Sequence, residues 1–352
     1  MTRLPSNMEH SSDPTISDKP RQLLSVVVPA FNEEQVLHEF HRRLSAVLDG
    51  LPLDSEVIYV NDGSTDATLR VMQELRRSDS RVAIVDLSRN FGKEIAMSAG
   101  LDYVCGHAAV IIDSDLQDPP EIIPAMLEYW REGYDNVYAK RLVREGETFL
   151  KKATARMFYR VIQSVSRVRI PEDTGDFRLL SRRAILSLRK LRERHRFMKG
   201  LFAWLGYRSK EVLYNRDPRH AGQTKWNYWH LWNLAIEGIT SFTIAPLKIA
   251  TYLGVATAAL SFIYAIYMIV RTLVYGNPVA GYPSLLVVIL FLGGIQLLAL
   301  GVIGEYLGRT FNEAKARPLY FINEYQPSCL SRNRAEVSDE HSNPFLVGDK
   351  MR

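Results

Sequence analysis

Hydrophobic residues in the first part of the chain fall in short continuous runs that alternate with longer segments of helical periodicity. The runs cover residues 24–28, 57–60, 82–87, 108–112 and, more weakly, 136–139. Continuous apolar strands separated by helices predict an α/β domain whose mostly parallel sheet is covered on both faces. Loops that carry function are then expected at the carboxyl ends of the strands.

Two longer apolar segments predict membrane spans. Residues 249–270 and 284–304 contain no charged side chain, and each can cross a hydrocarbon core of about 30 Å. A turn rich in Gly and Pro joins them into a helical hairpin. Basic residues flank the hairpin on its outer sides, whereas the connecting loop contributes only Arg271. By the positive-inside rule, both ends of the hairpin and the α/β domain lie in the cytoplasm.

Charge changes the picture between residues 140 and 225, which hold 23 Lys or Arg but only 8 Asp or Glu, although the whole chain carries a net charge of +5. Apolar residues recur at helical spacing from Phe149 to Val165 among Lys and Arg residues. This pattern predicts a basic amphipathic helix at a membrane surface. The alternative is a solvated charged helix packed on its own domain. Nucleic acid is a weaker explanation of the basic block than the adjoining membrane anchor.

These patterns divide the 352 residues into a disordered tail (1–22), a cytoplasmic α/β domain (23–225) whose basic part (140–225) faces the membrane, an interfacial amphipathic segment (226–243), the hairpin (244–310) and a cytoplasmic tail (311–352). A hydrophobic content of 47% excludes a mainly disordered chain. Two cysteines, Cys105 and Cys329, are too few for a disulfide framework or a zinc cluster. The mean hydropathy of −0.11 is typical of a soluble protein only because it averages two spans with polar regions.

Polar residues follow each predicted strand. Asn32 and Glu33 follow the first strand and present an amide and a carboxylate to a nucleotide, although Asn32 could instead cap the next helix. Asp62 ends the second strand, where it can accept hydrogen bonds from a base or ribose while Gly63 allows close backbone approach. We interpret Asp66 as a helix cap. After the third strand, Arg89 or Lys93 could reach a diphosphate.

The fourth strand leads into Asp-Ser-Asp-Leu-Gln-Asp-Pro. In extended backbone, residues at i, i+2 and i+4 project from one face, so Asp113, Asp115 and Gln117 would form a set of oxygen ligands. Such ligands suit Mg²⁺ or Mn²⁺, which can neutralise a leaving diphosphate. The alternative is an ordinary surface turn.

Further along, Asp176 is an acid within the basic block. It could be a base, an acceptor for a substrate hydroxyl, or only the ion-pair partner of Arg178. The segment His-Ala-Gly-Gln-Thr-Lys-Trp precedes the first span and places Lys225 where a phosphate at the bilayer surface would lie. Further candidates for phosphate contacts are Arg194, Arg196 and Lys199.

In this order, the motifs Val-Val-Pro-Ala-Phe-Asn-Glu-Glu, Asn-Asp-Gly-Ser-Thr-Asp, Asp-Ser-Asp-Leu-Gln-Asp-Pro, Thr-Gly-Asp-Phe-Arg and His-Ala-Gly-Gln-Thr-Lys-Trp resemble those of family 2 glycosyltransferases. With the hairpin, the chain resembles the polyprenyl-phosphate hexosyltransferases over about residues 24–320. The resemblance implies a GT-A type fold, homo-oligomers (tetramers in relatives), and inverting transfer of a hexose from a nucleotide sugar to a polyprenyl phosphate. We expect UDP-glucose as the donor and undecaprenyl phosphate as the acceptor, and we expect the protein in a bacterial inner membrane.

The resemblance also assigns roles by position, and we adopt these as expectations. Nucleotide-sugar binding falls to Pro29, Asn32, Glu33, Asp62, Asp113 and Ser114. Asp113, Asp115 and Gln117 would hold Mg²⁺ or Mn²⁺, and Asp176 and Asp115 would be the catalytic carboxylates. Contacts to the acceptor phosphate or diphosphate fall to Arg178, Arg196, Arg219 and Lys225.

Several alternatives remain open at this stage. UDP-galactose, UDP-N-acetylglucosamine, a UDP-aminoarabinose derivative or GDP-mannose could replace UDP-glucose as donor. A processive polysaccharide synthase would be expected to carry a Gln-X-X-Arg-Trp motif and more spans, neither of which is found. A flippase subunit would need a polar path through the membrane, and the two spans carry no charge. A non-catalytic scaffold conflicts with an intact set of acidic residues.

Overall fold

The computed structural model describes residues 22–142, 174–194, 196–214, 245–275 and 281–330. Several predicted features lie outside these residues. They are most of the first tail, the basic amphipathic segment 149–165, the interfacial segment 226–243, and the candidate phosphate contacts Arg219 and Lys225.

Within these described ranges, eight strands form one mixed sheet in the order β7-β5-β6-β4-β1-β2-β3-β8. The strands are β1 (Leu23–Ala30), β2 (Asp54–Asn61), β3 (Val82–Leu87), β4 (Ala108–Ile111), β5 (Asn136–Arg141), β6 (Thr174–Ser181), β7 (Ser209–Tyr214) and β8 (Ile322–Gln326). The helices are α1 (Leu37–Asp49), α2 (Thr68–Ser78), α3 (Lys93–Asp102), α4 (Ile123–Arg131), α5 (Arg182–Lys190), α6 (Met198–Trp204), α7 (Ala245–Tyr275) and α8 (Tyr282–Ala314).

Strands β1 to β4 form the parallel part of the sheet and match the predicted runs closely. β1 pairs in parallel with β2 and β4, and β2 pairs in parallel with β3. Every residue of β1, β3 and β4 is buried, as expected for strands covered by helices on both faces. Helix α3 packs tightly on β1, because a Cβ added at Gly100 would lie 2.3 Å from Cγ1 of Val27. The α/β prediction is confirmed.

Beyond β4, the sheet changes direction. β6 pairs antiparallel with both β4 and β5, and β7 pairs in parallel with β5. β6 contains Thr174 to Ser181, so the Thr-Gly-Asp-Phe-Arg motif begins a strand at the edge of the sheet where the parallel strands end. The sequence pattern identified neither β6 nor β7, since both lie in the basic block.

Helices α7 and α8 form the C-terminal hairpin. Each is long and apolar enough to cross a membrane, with candidate spans Leu247–Tyr275 and Phe291–Ala314. Both helices extend past the predicted spans, and α8 continues to Ala314.

Residues 315–330, which we call the C-terminal strap, return from the hairpin to the α/β domain. The sequence assigned this stretch to a cytoplasmic tail without secondary structure, but the structure adds β8 antiparallel to the outer edge of β3. Tyr320 donates a hydrogen bond to Oδ2 of Asp102 at 2.7 Å, and the ring centroid of Tyr325 lies 4.2 Å from that of Tyr103. The strap therefore ties the hairpin to the far side of the sheet from β7.

Candidate active site

A cleft of about 520 Å³ opens at the carboxyl ends of the parallel strands. Strands β1, β2, β4 and β5 end there, and the antiparallel β6 begins there. The lining residues are Pro29, Ala30, Phe31, Glu33, Asp62, Asn90, Gly92, Lys93, Ala96, Asp113, Ser114, Asp115, Arg141, Gly175, Asp176 and Lys199. Of the expected nucleotide-sugar residues in the described part of the chain, the cleft brings together Pro29, Glu33, Asp62, Asp113 and Ser114.

Lys93 joins the two strands that supply acids to the cleft. Its ammonium donates to Oδ2 of Asp113 at 2.7 Å and to Oδ2 of Asp176 at 2.6 Å. Lys93 is the first residue of α3, so the positive end of the helix dipole also faces the two carboxylates. One lysine therefore links the end of β4 to the start of β6.

Burial and charge set the protonation of this group. Burial raises the pKa of Asp113 to about 6, although the Lys93 ammonium opposes the shift. Burial alone would also raise the pKa of Asp176, but the charges of Lys93 and Lys199 outweigh it and hold that pKa below its usual range. Burial would lower the pKa of Lys93, but the two aspartates keep it above its ordinary value. Asp176 is thus a carboxylate at neutral pH.

Asp62 shapes the wall of the cleft. Its two carboxylate oxygens accept hydrogen bonds from the backbone N–H groups of Phe91, at 2.7 Å, and Gly92, at 2.9 Å. Burial raises the pKa of Asp62 in spite of these bonds. The neighbouring Gly63 has a φ of +64°, and a Cβ there would lie 2.4 Å from the carbonyl carbon of Arg89. Gly63 therefore brings the loop after β2 against the backbone of the loop after β3, whereas its close approach to a base or ribose stays a prediction.

Asn32 does not line the cleft. It has a φ of 57°, and its Oδ1 accepts a hydrogen bond from the N–H of Thr65 at 2.8 Å. Its own N–H donates to Oγ of Ser64 at 3.1 Å. Asn32 therefore holds the loops after β1 and β2 together, instead of capping a helix. Asp66 accepts from the N–H of Thr68, the first residue of α2, at 3.0 Å, but the N-cap position itself is Ala67, one residue later than predicted.

The predicted ligand set of Asp113, Asp115 and Gln117 is not assembled as expected. β4 ends at Ile111, and the following residues turn: Leu116 has a φ of 60°, and Oδ1 of Asp115 accepts from the N–H of Gln117 at 3.1 Å. The extended backbone that would align all three side chains is absent here. Asp113 and Asp115 line the cleft, while Gln117 lies outside its lining.

Two predicted phosphate contacts also lie away from the cleft. The guanidinium of Arg178 stacks 3.7 Å from the ring centroid of Phe202 and donates to the carbonyl oxygen of Gly175 at 3.0 Å. Burial lowers the pKa of Arg178 to about 10. Arg196 is 6% exposed and donates to the carbonyl oxygen of Leu191 at 2.7 Å. Neither guanidinium is in the cleft lining, because Arg178 is held by the ring of Phe202 and a backbone carbonyl oxygen and Arg196 by the carbonyl oxygen of Leu191.

Sequence reasoning missed two residues of the site, Arg141 and Glu94. Arg141 ends β5, so the same carboxyl-end rule would have found it had β5 been extended by two residues. Its Nε donates to the hydroxyl of Tyr214 at 3.3 Å. Glu94 carried no sequence signal. Burial and the charge of Asp176 raise the pKa of Glu94 to about 7, and its Oε2 accepts from the N–H of Met198 at 2.9 Å.

The residues at the cleft fit a divalent cation that is held partly by the protein and partly by substrate phosphates. The described ranges contain no group of three or more His, Cys, Asp or Glu placed to hold a metal ion. Mg²⁺, however, is usually bound by one or two carboxylates together with substrate phosphates, and Asp113 and Asp115 supply two hard oxygen donors at the cleft wall. Oδ1 of Asp176 is also buried, and no residue that the structure describes forms a hydrogen bond to it, which indicates room in the cleft for a further donor or a cation.

Comparisons with known proteins agree with this architecture. Residues 25–188 match the family described as Glycosyl transferase family 2, and residues 245–310 match the family described as GtrB C-terminal hairpin. An uncharacterized glycosyltransferase of Synechocystis sp. is 55% identical over 301 residues, which are 86% of this chain and 95% of that protein. The bactoprenol glucosyl transferase of Shigella phage SfV is 49% identical over 304 residues, 86% of this chain and 99% of that protein.

Among solved structures, glucosyl-3-phosphoglycerate synthase from Mycobacterium tuberculosis, in complex with Mn²⁺, UDP-glucose and phosphoglyceric acid, gives a TM-score of 0.43 at 22% identity. The match covers 62% of this chain and 78% of that one.

Proposed function

The chain belongs to glycosyl transferase family 2, and we propose that it transfers glucose from UDP-glucose to the phosphate of a membrane polyprenol, undecaprenyl phosphate. The observation that carries the proposal is the joining of the acidic cleft to the membrane hairpin in one chain. The relative that is 49% identical across 86% of this chain is named a bactoprenol glucosyl transferase. This name supports glucose as the transferred sugar and a polyprenol as the acceptor lipid.

In the proposed reaction, an oxygen of the acceptor phosphate attacks the anomeric carbon of the sugar. The bond from that carbon to the donor diphosphate breaks on the opposite face, so the configuration inverts and the nucleoside diphosphate leaves. A phosphate monoester is largely a dianion at neutral pH, since its second pKa is about 6. The nucleophile therefore needs no strong general base.

Asp176 then acts as an orienting carboxylate. It is held deprotonated by Lys93 and Lys199, so it is a weak proton acceptor. Its buried Oδ1 has no hydrogen-bond partner in the described structure and suits a sugar hydroxyl, which would donate to it. The bond of Lys93 to Oδ2 fixes the orientation of that carboxylate.

A bound divalent cation, Mg²⁺ or Mn²⁺, would be held by Asp113 and Asp115 and would neutralise charge on the leaving diphosphate. Asp62, Pro29, Glu33 and Ser114 would bind the nucleotide sugar.

The proposed location is the bacterial inner membrane, with α7 and α8 crossing it and the cleft facing the cytoplasm. Basic residues outside the hairpin support this orientation by the positive-inside rule. Assembly into a homo-oligomer, a tetramer, is carried over from the family resemblance.

The test is transfer of radiolabelled sugar to extractable lipid. Membranes containing the protein are incubated with UDP-glucose, UDP-galactose, UDP-N-acetylglucosamine or GDP-mannose, and the lipid is extracted. We expect label from UDP-glucose in polyprenyl phosphate, and loss of label after chelation of divalent cations and in Asp115→Ala. Failure of every sugar to label the lipid would refute the proposal, whereas preference for another sugar would correct the donor. Full activity in chelated membranes would refute the metal assignment.

A further inference from the structure

A short segment connects the end of the membrane hairpin to the cleft. The N–H of Arg194 donates to Oε1 of Glu313, in the last turn of α8, at 2.7 Å. The guanidinium of Arg194 donates to the carbonyl oxygen of Arg317. Five residues later, Lys199 lies in the first turn of α6 and lines the cleft. Arg194, which contacts the end of α8, and Lys199, which lines the acidic cleft, are therefore only five residues apart in the chain.

Lys199 differs from Lys93 in its partners. Lys93 is within hydrogen-bond distance of two carboxylates. For Lys199, no ion pair or hydrogen bond to its ammonium occurs among the residues that the structure describes. Burial lowers the pKa of Lys199, and the charge of Asp176 only partly offsets that effect. A largely enclosed cation that no described carboxylate contacts directly gains free energy from an incoming anion that does contact it.

The other cations near this segment are already engaged. Arg178 stacks on Phe202 and bonds to backbone carbonyl oxygens, and Arg196 bonds to Leu191. Arg194 contacts the hairpin and the strap. Lys199 is thus the residue of this segment whose charge faces the cleft.

We propose that Lys199 binds the phosphate of the lipid acceptor and holds it beside the donor sugar. This inference rests on the proposed function, because it assigns one substrate group of that reaction to one side chain. A donor diphosphate offers the same phosphate oxygens. We assign the acceptor because the segment that carries Lys199 is anchored to the end of α8.

Glu94 is the positioning residue for this lysine. It follows Lys93 in α3, and its Oε2 accepts from the N–H of Met198, the residue immediately before Lys199. The bond occupies one of the N–H groups that the first turn of a helix leaves unpaired. Glu94 therefore fixes α6 relative to α3, and with it the separation of the two lysines.

The experiment compares Lys199→Met, Lys199→Arg and the matched control Lys190→Met, an exposed lysine at the end of α5. Two measurements are made on the full-length protein in detergent: binding of undecaprenyl phosphate against uncharged undecaprenol, and binding of UDP without lipid. For Lys199→Met we expect a loss of preference for the phosphorylated lipid by about 10-fold to 100-fold. We expect UDP affinity to stay within about twofold, and Lys199→Arg and Lys190→Met to resemble wild type.

Two results would overturn the inference. Equal loss of UDP affinity would assign Lys199 to the donor diphosphate, and an unchanged lipid preference would remove it from phosphate binding. Thermal unfolding checks that each variant is folded, and Lys199→Gln replaces Lys199→Met if the latter is not. Lipid binding is measured without transfer, so the two proposals can fail separately. The assignment of Lys199 can be wrong although the wild-type protein glucosylates the lipid. It can also be right although the sugar donor is not UDP-glucose.

The role of Glu94 is tested by rescue. Glu94→Gln keeps an oxygen that can accept from Met198, whereas Glu94→Ala does not. With transfer activity as the readout, we expect Glu94→Ala to raise the KM for undecaprenyl phosphate more than it lowers kcat, and Glu94→Gln to restore most of that KM. Equal behaviour of the two variants would contradict the positioning role.

Discussion

Strands β1 to β4 build one half of the sheet from contiguous chain, whereas the other four strands reach their places over long sequence separations. In the first half, β2 and β3 each follow a helix and lie beside the preceding strand, whereas β4 crosses to the other side of β1. In the second half, β6 inserts between β4 and β5, and β8 returns from beyond the membrane hairpin. Each half contributes one carboxylate to Lys93: Asp113 from the first and Asp176 from the second. The cleft is therefore a product of both halves.

The largest expected effect tests whether both halves are needed. We expect Asp113→Ala and Asp176→Ala each to reduce sugar transfer by about 10³-fold or more, because each removes a charge that faces the reacting groups. The double variant should be little worse than either single one, since the residues act as a unit through Lys93. Initial rates at saturating substrates measure this, with the exposed Glu128→Gln as control. A loss below about 10-fold in either single variant would contradict a shared centre.

Alanine substitution at one glycine in each half of the sheet compares how tightly the backbone is packed there. Gly63 has a φ of +64° and Gly206 a φ of +67°, but only a Cβ at Gly63 would meet backbone atoms closer than 3 Å. Alanine should therefore destabilise the protein by about 1 kcal/mol at Gly206, from backbone strain alone, and by about 3 kcal/mol at Gly63, from strain and overpacking. Denaturant unfolding in detergent measures both. Equal losses would mean that the loops after β2 and β3 can separate without cost.

The hydrogen bond from Met198 to Glu94 crosses between the halves and gives a pH dependence. The folded pKa of Glu94 is about 7, above the ordinary 4.5, owing to burial and then to the charge of Asp176. The folded protein therefore holds this proton more tightly than the unfolded chain does. Its contribution to stability is lost as pH rises from about 4.5 to about 7 and is constant above that. The charged groups around it are Lys93, Asp176, Arg178, Arg196 and Lys199.

This dependence is measured as the difference in Tm between wild type and Glu94→Gln at about pH 5 and about pH 8. We expect wild type to lose several degrees relative to the variant on going to the higher pH. A difference that is independent of pH would show that Glu94 is charged in the fold throughout.

The smallest expected effect concerns the strap. Tyr320→Phe removes the hydrogen bond to Asp102 and keeps the ring, so we expect a loss of about 1–2 kcal/mol in the free energy of unfolding. Transfer activity should remain, because Asp102 is at the opposite end of α3 from Lys93. Tyr252→Phe, on an exposed position of α7, is the control. A loss of activity without a loss of stability would mean that the strap acts on the cleft.

The same comparison explains how much the sequence reveals. The continuous apolar runs of β1 to β4 and their polar carboxyl ends predicted the fold class and placed Asp62, Asp113 and Asp115 among the candidates. Asp176 was a candidate for a different reason, because it is an acid within the basic block and belongs to a motif of the family resemblance. The remaining strands are shorter or mixed in polarity: β7 alternates exposed and half-buried residues, and β8 is half-exposed. Their pairing depends on partners far away in sequence, which a local pattern does not report.

Individual side chains were harder to predict than their neighbourhood. Arg178 and Arg196 were candidate phosphate contacts, but both are buried, and a local sequence pattern does not report whether a single arginine of a strand or loop is buried. Gln117 was placed by assuming extended backbone, and the left-handed Leu116 breaks that assumption. Lys199 was one of several candidates, and only the fold distinguishes it from Arg194 and Arg196.

Strand β8 also fixes the order in which the protein can be completed. The ribosome must make both apolar helices before Ile322–Gln326 exists, so a growing chain carries β3 as an open edge until the hairpin has been synthesised. Open edges invite pairing with other chains. A chain truncated before residue 322 would therefore keep the unpaired edge of β3. A chain that has been completed beyond the hairpin covers this edge with its own β8. The eight-stranded sheet of the described structure can therefore be completed only after the hairpin has been translated.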